Sequence, residues 1–523
     1  MIASLSHNAR RAAGLLLIVL SPVIPVYAHD IHEDHDHQAE TLPLSEWEKA
    51  QATLVGLELP GGLPPHFTVD FEVFGQMHSL LLEKDRVFGD QTEILIGNEQ
   101  DGFAQVDHGA DGSYRGIVVQ FPGYSVDGWL EGGRFVATIH RPGRRPLEIS
   151  PSVDFGKTGL HQLNFANELG DGERIMTDCD LLVPPEPAPQ PLVIAPAPKA
   201  KLKPARKITV REFVVGVEIG SKTFIETYKR DRSKALAVAR RIPGQLDSRL
   251  LVSNGIKTTL GKVIIRTSER SDPLAGKVTS NSVSSLNAFR DYWNTNTKEV
   301  GNSHDLAVYK VYYPPSGIAY VNSIGGKNKY ALLCGKGADS WTRSVLIHEI
   351  GHSWGLLHSN DSGINYEPMP RNSMKGATSR GGKKTFASAM GSSRNEKIAS
   401  GEAARIFNVL KSKSKFGKVI SSPPKVAPFG FHDYVKLNGK NSITVDVVKN
   451  DYDANNEPLN CKVYDKVSFQ GGKISLSIGT GPSGRNQITY KRPNGVKNKW
   501  DFFHYTVVDP TGRRSWGCVR VSL

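Results

Sequence analysis

Cysteine is scarce in this chain, with four in 523 residues. At most two disulfides can form, which excludes a small disulfide-stapled scaffold and leaves the domains to stand on apolar cores. Long apolar runs are scarcer still. The run from Ala12 to Val26 follows Arg10 and Arg11, is interrupted by Pro22 and Pro25, and ends at the small-residue cleavage site Val26-Tyr27-Ala28. Residues 1–28 therefore read as a secretory signal, with His29 as the first mature residue. No other stretch is long or apolar enough to span a bilayer, so no integral membrane segment is expected after its removal. Basic segments with interleaved aromatics are also missing, although the formal net charge is +13. The lysine-rich stretches Lys199 to Lys207 and Lys411 to Lys415 read as solvated linkers or as contacts to acidic surfaces, not as a nucleic-acid interface. The expected location is secreted, either extracellular, periplasmic or attached to the cell surface.

A length of 523 residues allows two to four domains. Residues 29–41 hold a histidine- and carboxylate-rich tract, His29-Asp30-Ile31-His32-Glu33-Asp34-His35-Asp36-His37, which suits either metal capture or an acidic solvated tail. Residues 42–180 carry short strand signals, such as the alternating run Phe67 to Phe74, punctuated by glycines. A Pro/Lys-rich stretch over 181–207 reads as an extended linker. From 208 to 418 strand and helix patterns alternate, as in an α/β (α+β) domain with a mixed sheet. Val214–Ile219 and Lys262–Arg266 are expected strands. Lys234–Arg241, Ser284–Trp293 and Ser400–Lys411 are expected helices. Residues 424–523 return to strands with sandwich-like spacing at Ser442–Val448, Gly472–Ser477 and Phe502–Val508. The fold class is thus multidomain, with the α/β part flanked by β-rich modules. Cys461 and Cys518 fall in the last module and are expected to pair. For Cys179 and Cys334 pairing, free thiols and metal ligation all remain open.

The densest chemistry lies in His348-Glu349-Ile350-Gly351-His352-Ser353-Trp354-Gly355-Leu356-Leu357-His358. On a helix, His348 and His352 project from one face and can grip one Zn²⁺ from adjacent turns. Asp339 or Ser340 supplies a start signal for that helix. Gly355 lets it end and the chain reverse, so that His358 returns as a third ligand. Three imidazoles leave a fourth position for water, which separates a catalytic zinc site from a closed structural one. Glu349 sits beside the metal without binding it, placed to take a proton from that water and pass it to a leaving amine.

This spacing is that of the metzincin zinc proteases, and the chain up to about Lys418 resembles their reprolysin (adamalysin) branch. His304-Asp305-Leu306-Ala307 and Gly317-Ile318-Ala319-Tyr320-Val321 resemble that family's approach to the zinc helix, and Tyr114-Arg115-Gly116-Ile117-Val118 resembles part of its pro-domain. The resemblance implies a zinc endopeptidase made as a zymogen, its propeptide removed near Lys203 to Lys207. It also implies a methionine turn beneath the zinc. Met390 is the favoured candidate, with Met374 and Met369 as alternatives. A cysteine switch would have to use Cys179. The sequence departs from reprolysins at Ser359, where they usually carry aspartate. The last module resembles bacterial cadherin-like repeats from Val445 to Leu459, where Asp451, Asp453 and Asn455 suit either a Ca²⁺ site or a polar turn.

The expected function is hydrolysis of peptide bonds in protein substrates, with the C-terminal module attaching the enzyme to a surface or matrix. A catalytically inactive adhesin built on the same scaffold is the alternative. Metal handling by the histidine tract is a weaker third.

Overall fold

The computed structural model describes residues 53–73, 76–141, 146–152, 154–165, 206–301, 303–314, 316–335, 340–357, 379–380, 383–384, 398, 400–495 and 500–523. All of them lie in one compact unit from Glu40 to Leu523. The expected signal segment, the histidine tract and most of the expected linker fall outside the described residues. So do Cys179, His358, Met369, Met374 and Met390.

The N-terminal region supplies β1 (Thr53–Val55), β2 (His66–Val73), β3 (Gln76–Lys84), β4 (Phe88–Asn98), β5 (Gly102–Val106), β6 (Ser113–Val118), β7 (Phe121–Glu131), β8 (Arg134–His140), β9 (Leu147–Pro151) and β10 (His161–Phe165). Eight of these form an antiparallel sheet in the order β1-β10-β9-β8-β7-β6-β3-β2. The alternation expected around Phe67 is real: Val69 and Phe71 are buried, whereas Thr68, Asp70 and Glu72 face solvent.

β4 and β5 leave that sheet and join another. The α/β part contributes β11 (Arg211–Ile219), β12 (Ile256–Arg266), β13 (Leu306–Val311), β14 (Ser316–Ala319), β15 (Tyr330–Cys334), a small hairpin β16 (Ser379–Arg380) and β17 (Lys383–Lys384), and β18 (Lys418–Val419). The main sheet runs β14-β15-β13-β11-β12-β4-β5, with β18 paired to β11. β4 runs parallel to β12, and β5 closes the edge antiparallel to β4. The span 42–180 therefore lends two strands to the sheet of the span 208–418. Ile94 and Ile96 of β4 enter the same core as Val215, Leu260 and Trp354. This pairing joins residues more than 150 positions apart, so no local pattern announces it.

Buried charges fasten the two regions. Arg115 of β6 and Lys257 of β12 both face Asp85 and Asp247, and all four side chains are buried. Arg266 of β12 pairs with Glu218 of β11, with Glu99 beside β4, and with Glu299. Arg86 makes a two-pronged contact with Glu212 at 2.7 Å.

The long helix Arg232–Asn254 covers β12. Asp231 caps its start by accepting from the Lys234 amide, and Gly255 ends it with φ of +68°. It carries Pro243 inside, so it outruns the expected Lys234–Arg241; burial of Ala239, Ile242, Leu246 and Leu250 along one side holds it through the proline. The helix Val283–Thr295 is capped by Ser282, which accepts from the Ser285 amide. Among the described residues no helix is long and apolar enough to cross a membrane.

The last module supplies β19 (Asp433–Lys436), β20 (Ser442–Val445), β21 (Asn460–Val463), β22 (Lys473–Ser477), β23 (Gln487–Lys491), β24 (Trp500–Val508) and β25 (Arg514–Ser522). They form a sheet β19-β25-β24-β21 and a sheet β20-β23-β22. Ile474, Ile488 and Tyr490 of the second share one core with Phe503, Tyr505, Val519 and Val521 of the first.

The expected Cys461–Cys518 bond is not made. Cys461 is a free, buried thiol, whereas Cys518 is disulfide-bonded. Strand alternation explains why. Cys461 lies opposite Val507, on the inward face of β24's sheet with Phe503 and Tyr505, while Cys518 lies opposite His504 on the other face. β24 also stands between their strands.

Candidate metal centre

The helix Ser340–Ser353 carries the motif and begins where the start signal put it. Val345, Leu346, Ile347 and Ile350 are all buried, so the helix is lodged in the core and not laid on its surface. His348, Glu349 and His352 are buried as well, at 5%, 3% and 8% exposure. The two imidazoles stand 4.9 Å apart between ring centroids and almost perpendicular, at 88°. His352 holds its Nδ1 2.9 Å from the Leu356 carbonyl oxygen. A carbonyl only accepts, so Nδ1 carries the proton and the lone pair sits on Nε2. That backbone contact is the arrangement by which metal-binding histidines fix tautomer and ring orientation.

Gly355 ends the helix with φ of +85°, as its place in the motif led us to expect. A Cβ there would also lie 2.8 Å from Val409. The last carbonyls are satisfied from outside the helix. The Asn322 amide donates to His352 at 2.9 Å, the Ser323 amide to Ser353 at 3.0 Å, and the Arg405 guanidinium to Gly355. Leu356 then turns back into the core. His358 and the three candidate methionines lie outside the described residues, so the structure brings together two of the three expected ligands and the expected base.

Among the described residues β14 lies at the edge of the main sheet, half-buried, and pairs antiparallel with β15 alone. Gly317 on this strand stands against Glu349: a Cβ there would fall 2.5 Å from Oε1 and 2.6 Å from Cγ. Gly317 opens the run Gly317-Ile318-Ala319-Tyr320-Val321, but nothing local reveals that its missing side chain makes room for the carboxylate. Gly317→Ala should push Glu349 aside and lower the rate of peptide hydrolysis about 10²-fold, with zinc content unchanged in metal analysis. A variant at full activity would show that Glu349 needs no such room.

Two other polar residues of the α/β part are packing groups. Cys334, at the end of β15, is free and buried. Burial pushes its thiol up to about 11, with nearby Glu349 adding to the shift, so it stays neutral. His304 packs edge-on against Trp293, and neither ring nitrogen has a hydrogen-bond partner. Burial, with Lys329 adding, pushes it down to about 3, which keeps the ring uncharged.

Two imidazoles on one helix face, one oriented by a backbone carbonyl, form a nitrogen donor set that fits Zn²⁺. With the adjoining buried carboxylate they have the form of a metallohydrolase centre. Residues 222–397 match the Reprolysin_5 model of metallo-peptidase family M12. That match supports a reprolysin-like metallopeptidase domain over this stretch, and with it zinc dependence in general and a protein substrate. No curated protein matches the chain. Among solved structures it is similar to a chaperone–substrate complex at 14% identity, with a TM-score of 0.27, over 40% of this chain and 36% of that one. The chain thus spans about a third of that structure's length, and a likeness so slight carries no argument about fold or function.

Proposed function

We propose that this chain is a secreted, zinc-dependent endopeptidase of the reprolysin kind in which His348, His352 and His358 hold the metal and Glu349 moves the proton. The observation that carries the reading is the buried helix with His348, Glu349 and His352 side by side and His352 oriented by the Leu356 carbonyl. When bound, zinc supplies the acidity that makes water a nucleophile at neutral pH and polarises the scissile carbonyl. Glu349 accepts the proton of the attacking water and returns it to the leaving amine, so one carboxylate serves as base and then as acid. Burial of the helix keeps bulk water from competing and strengthens that carboxylate's interactions.

The edge strand β14 suits an extended peptide. One of its sides pairs with β15 and, among the described residues, no strand pairs with the other, whose backbone donors and acceptors a substrate strand can meet within reach of Glu349 beside Gly317. The N-terminal region acts in this reading as a fold-completing part of the enzyme. Its release would strip β4 and β5 from the sheet and take Arg115 from Asp247 and Asp85 from Lys257, which argues for retention after any cleavage in the linker.

The test is casein hydrolysis by the purified protein. Activity should vanish with a zinc chelator and return with added zinc, and His352→Ala should lose both activity and metal. Proteolysis that survives complete removal of zinc would sink the proposal.

A further inference from the structure

The loop between β20 and β21 holds a second group of carboxylates, far from the zinc helix in sequence. One oxygen each from Asp453, Glu457 and Asp509 lies within 4.8 Å of the others. Asp453 comes from the β20–β21 loop and Asp509 from the turn between β24 and β25. Asp453 is 1% exposed and Asp509 5%. Each has its Oδ1 committed to local backbone. Asp453 Oδ1 accepts from the Asn455 amide at 2.6 Å. Asp509 Oδ1 accepts from the amides of Thr511 and Arg513 and from the Thr511 hydroxyl, all at 2.8–2.9 Å. The Oδ2 atom of both is buried with no hydrogen-bond partner. The Arg513 guanidinium donates to the Thr511 hydroxyl and to Glu83.

Three carboxylates brought together from two turns, two of them buried, repel one another and cost free energy unless a cation or protons offset the charge. Burial first, and the neighbouring carboxylates next, push Asp453 to about 7 and Asp509 to about 6. The donors are all hard oxygens, without imidazole or thiolate, which suits Ca²⁺ and not Zn²⁺. Half-buried Glu457 leaves room for water to complete six to eight ligands.

Of the three residues expected from the sequence, only Asp453 belongs to this group. Asp451 spends its carboxylate on the Phe431 amide and the Tyr505 hydroxyl. Asn455 donates to the carbonyls of Pro423 and Pro424 and accepts from the Val426 amide.

The same loop is the joint between the sandwich and the α/β part. Asn456 exchanges two hydrogen bonds with the backbone of Ile208, at 2.8 and 3.0 Å. Tyr452 donates its hydroxyl to the Ser253 carbonyl at the end of the long helix, and Arg206 lies over its ring. Ala454 packs with Val210, Leu251 and Val426. We propose that Asp453, Glu457 and Asp509 bind one Ca²⁺ ion that stiffens this loop and so locks the C-terminal sandwich onto the α/β part.

Calorimetric titration of metal-free full-length protein with CaCl₂ should show one saturable site, with Kd on the order of 10⁻⁴–10⁻³ M as in extracellular modules. Calcium should raise the melting temperature and slow hydrogen exchange of the Ile208 and Val426 amides. In Asp453→Asn/Asp509→Asn all three responses should disappear, while the fold persists because asparagine keeps the Oδ1 acceptor. Glu457→Gln, at a half-buried position, should weaken binding at least tenfold. No saturable heat up to about ten times that Kd, or unchanged uptake in the double variant, would overturn the site. Uptake without slower exchange at Ile208 would overturn the lock.

Discussion

Replacing Glu349 with glutamine should leave a folded protein that carries one zinc per chain and hydrolyses casein about 10²–10⁴-fold more slowly. Glutamine matches the carboxylate in size and keeps the contact with Gly317, so packing around a side chain only 3% exposed should hardly change. It cannot accept a proton at neutral pH, and proton transfer is the role assigned to Glu349. The histidines are untouched, and His352 keeps its hydrogen bond to Leu356. Metal analysis, circular dichroism and casein hydrolysis on the same preparation separate the outcomes. Full activity in the zinc-loaded variant would remove Glu349 from the mechanism, and loss of zinc would make it part of the metal's support instead.

The largest expected effect on stability lies at Asp247. Its Oδ2 accepts from Lys257 at 2.6 Å and from Arg115 at 3.1 Å, and its Oδ1 accepts from the Thr258 amide and hydroxyl, each at 2.7 Å. Asp247→Ala leaves two buried cations without their shared carboxylate, deprives the buried Thr258 amide of its acceptor, and leaves the Thr258 hydroxyl only the Pro243 carbonyl at 3.1 Å. Removing one member of such a network costs about 3–5 kcal/mol, enough to lower the urea midpoint of the transition sharply. Because Arg115 belongs to β6 and Lys257 to β12, the loss should also loosen the N-terminal region from the α/β part. A midpoint within error of the parent would show that the network holds nothing together. The partner carboxylate gives a pH signature. Burial alone would raise Asp85, but Lys257 and Arg115 hold it down, from 3.8 to about 2. Its folded value lies below its unfolded one, so its contribution is complete above about pH 4 and fades as pH falls toward 2.

The motif helix was legible because its information is local. Four-residue histidine spacing, the start at Ser340 and the reversal at Gly355 all follow from helix geometry within twenty residues. The strand cores of β2, β11 and β24 were legible in the same way, from alternation and β-branched runs. The long helix was half legible: Pro243 is a local stop signal, and only burial against β12 overrides it. Sheet membership was not legible. β4 reads as an ordinary strand of its own region, and nothing in Phe88–Asn98 says that its partner is β12. The cysteine pairing failed for a related reason, because sharing a module does not place two residues on one face of adjacent strands.

The sequence by itself determined the chemistry available to this protein: nitrogen donors at the spacing of one helix face, a carboxylate between them, and a glycine that turns the chain. Those features are set by backbone geometry over a few residues and survive whatever surrounds them. Only the tertiary structure decided which strands complete the sheet, which glycine makes room for Glu349, and which carboxylates meet at the joint of the last module. Each of these depends on contacts between residues distant in the chain, where burial and charge pairing choose among partners that local sequence leaves equivalent.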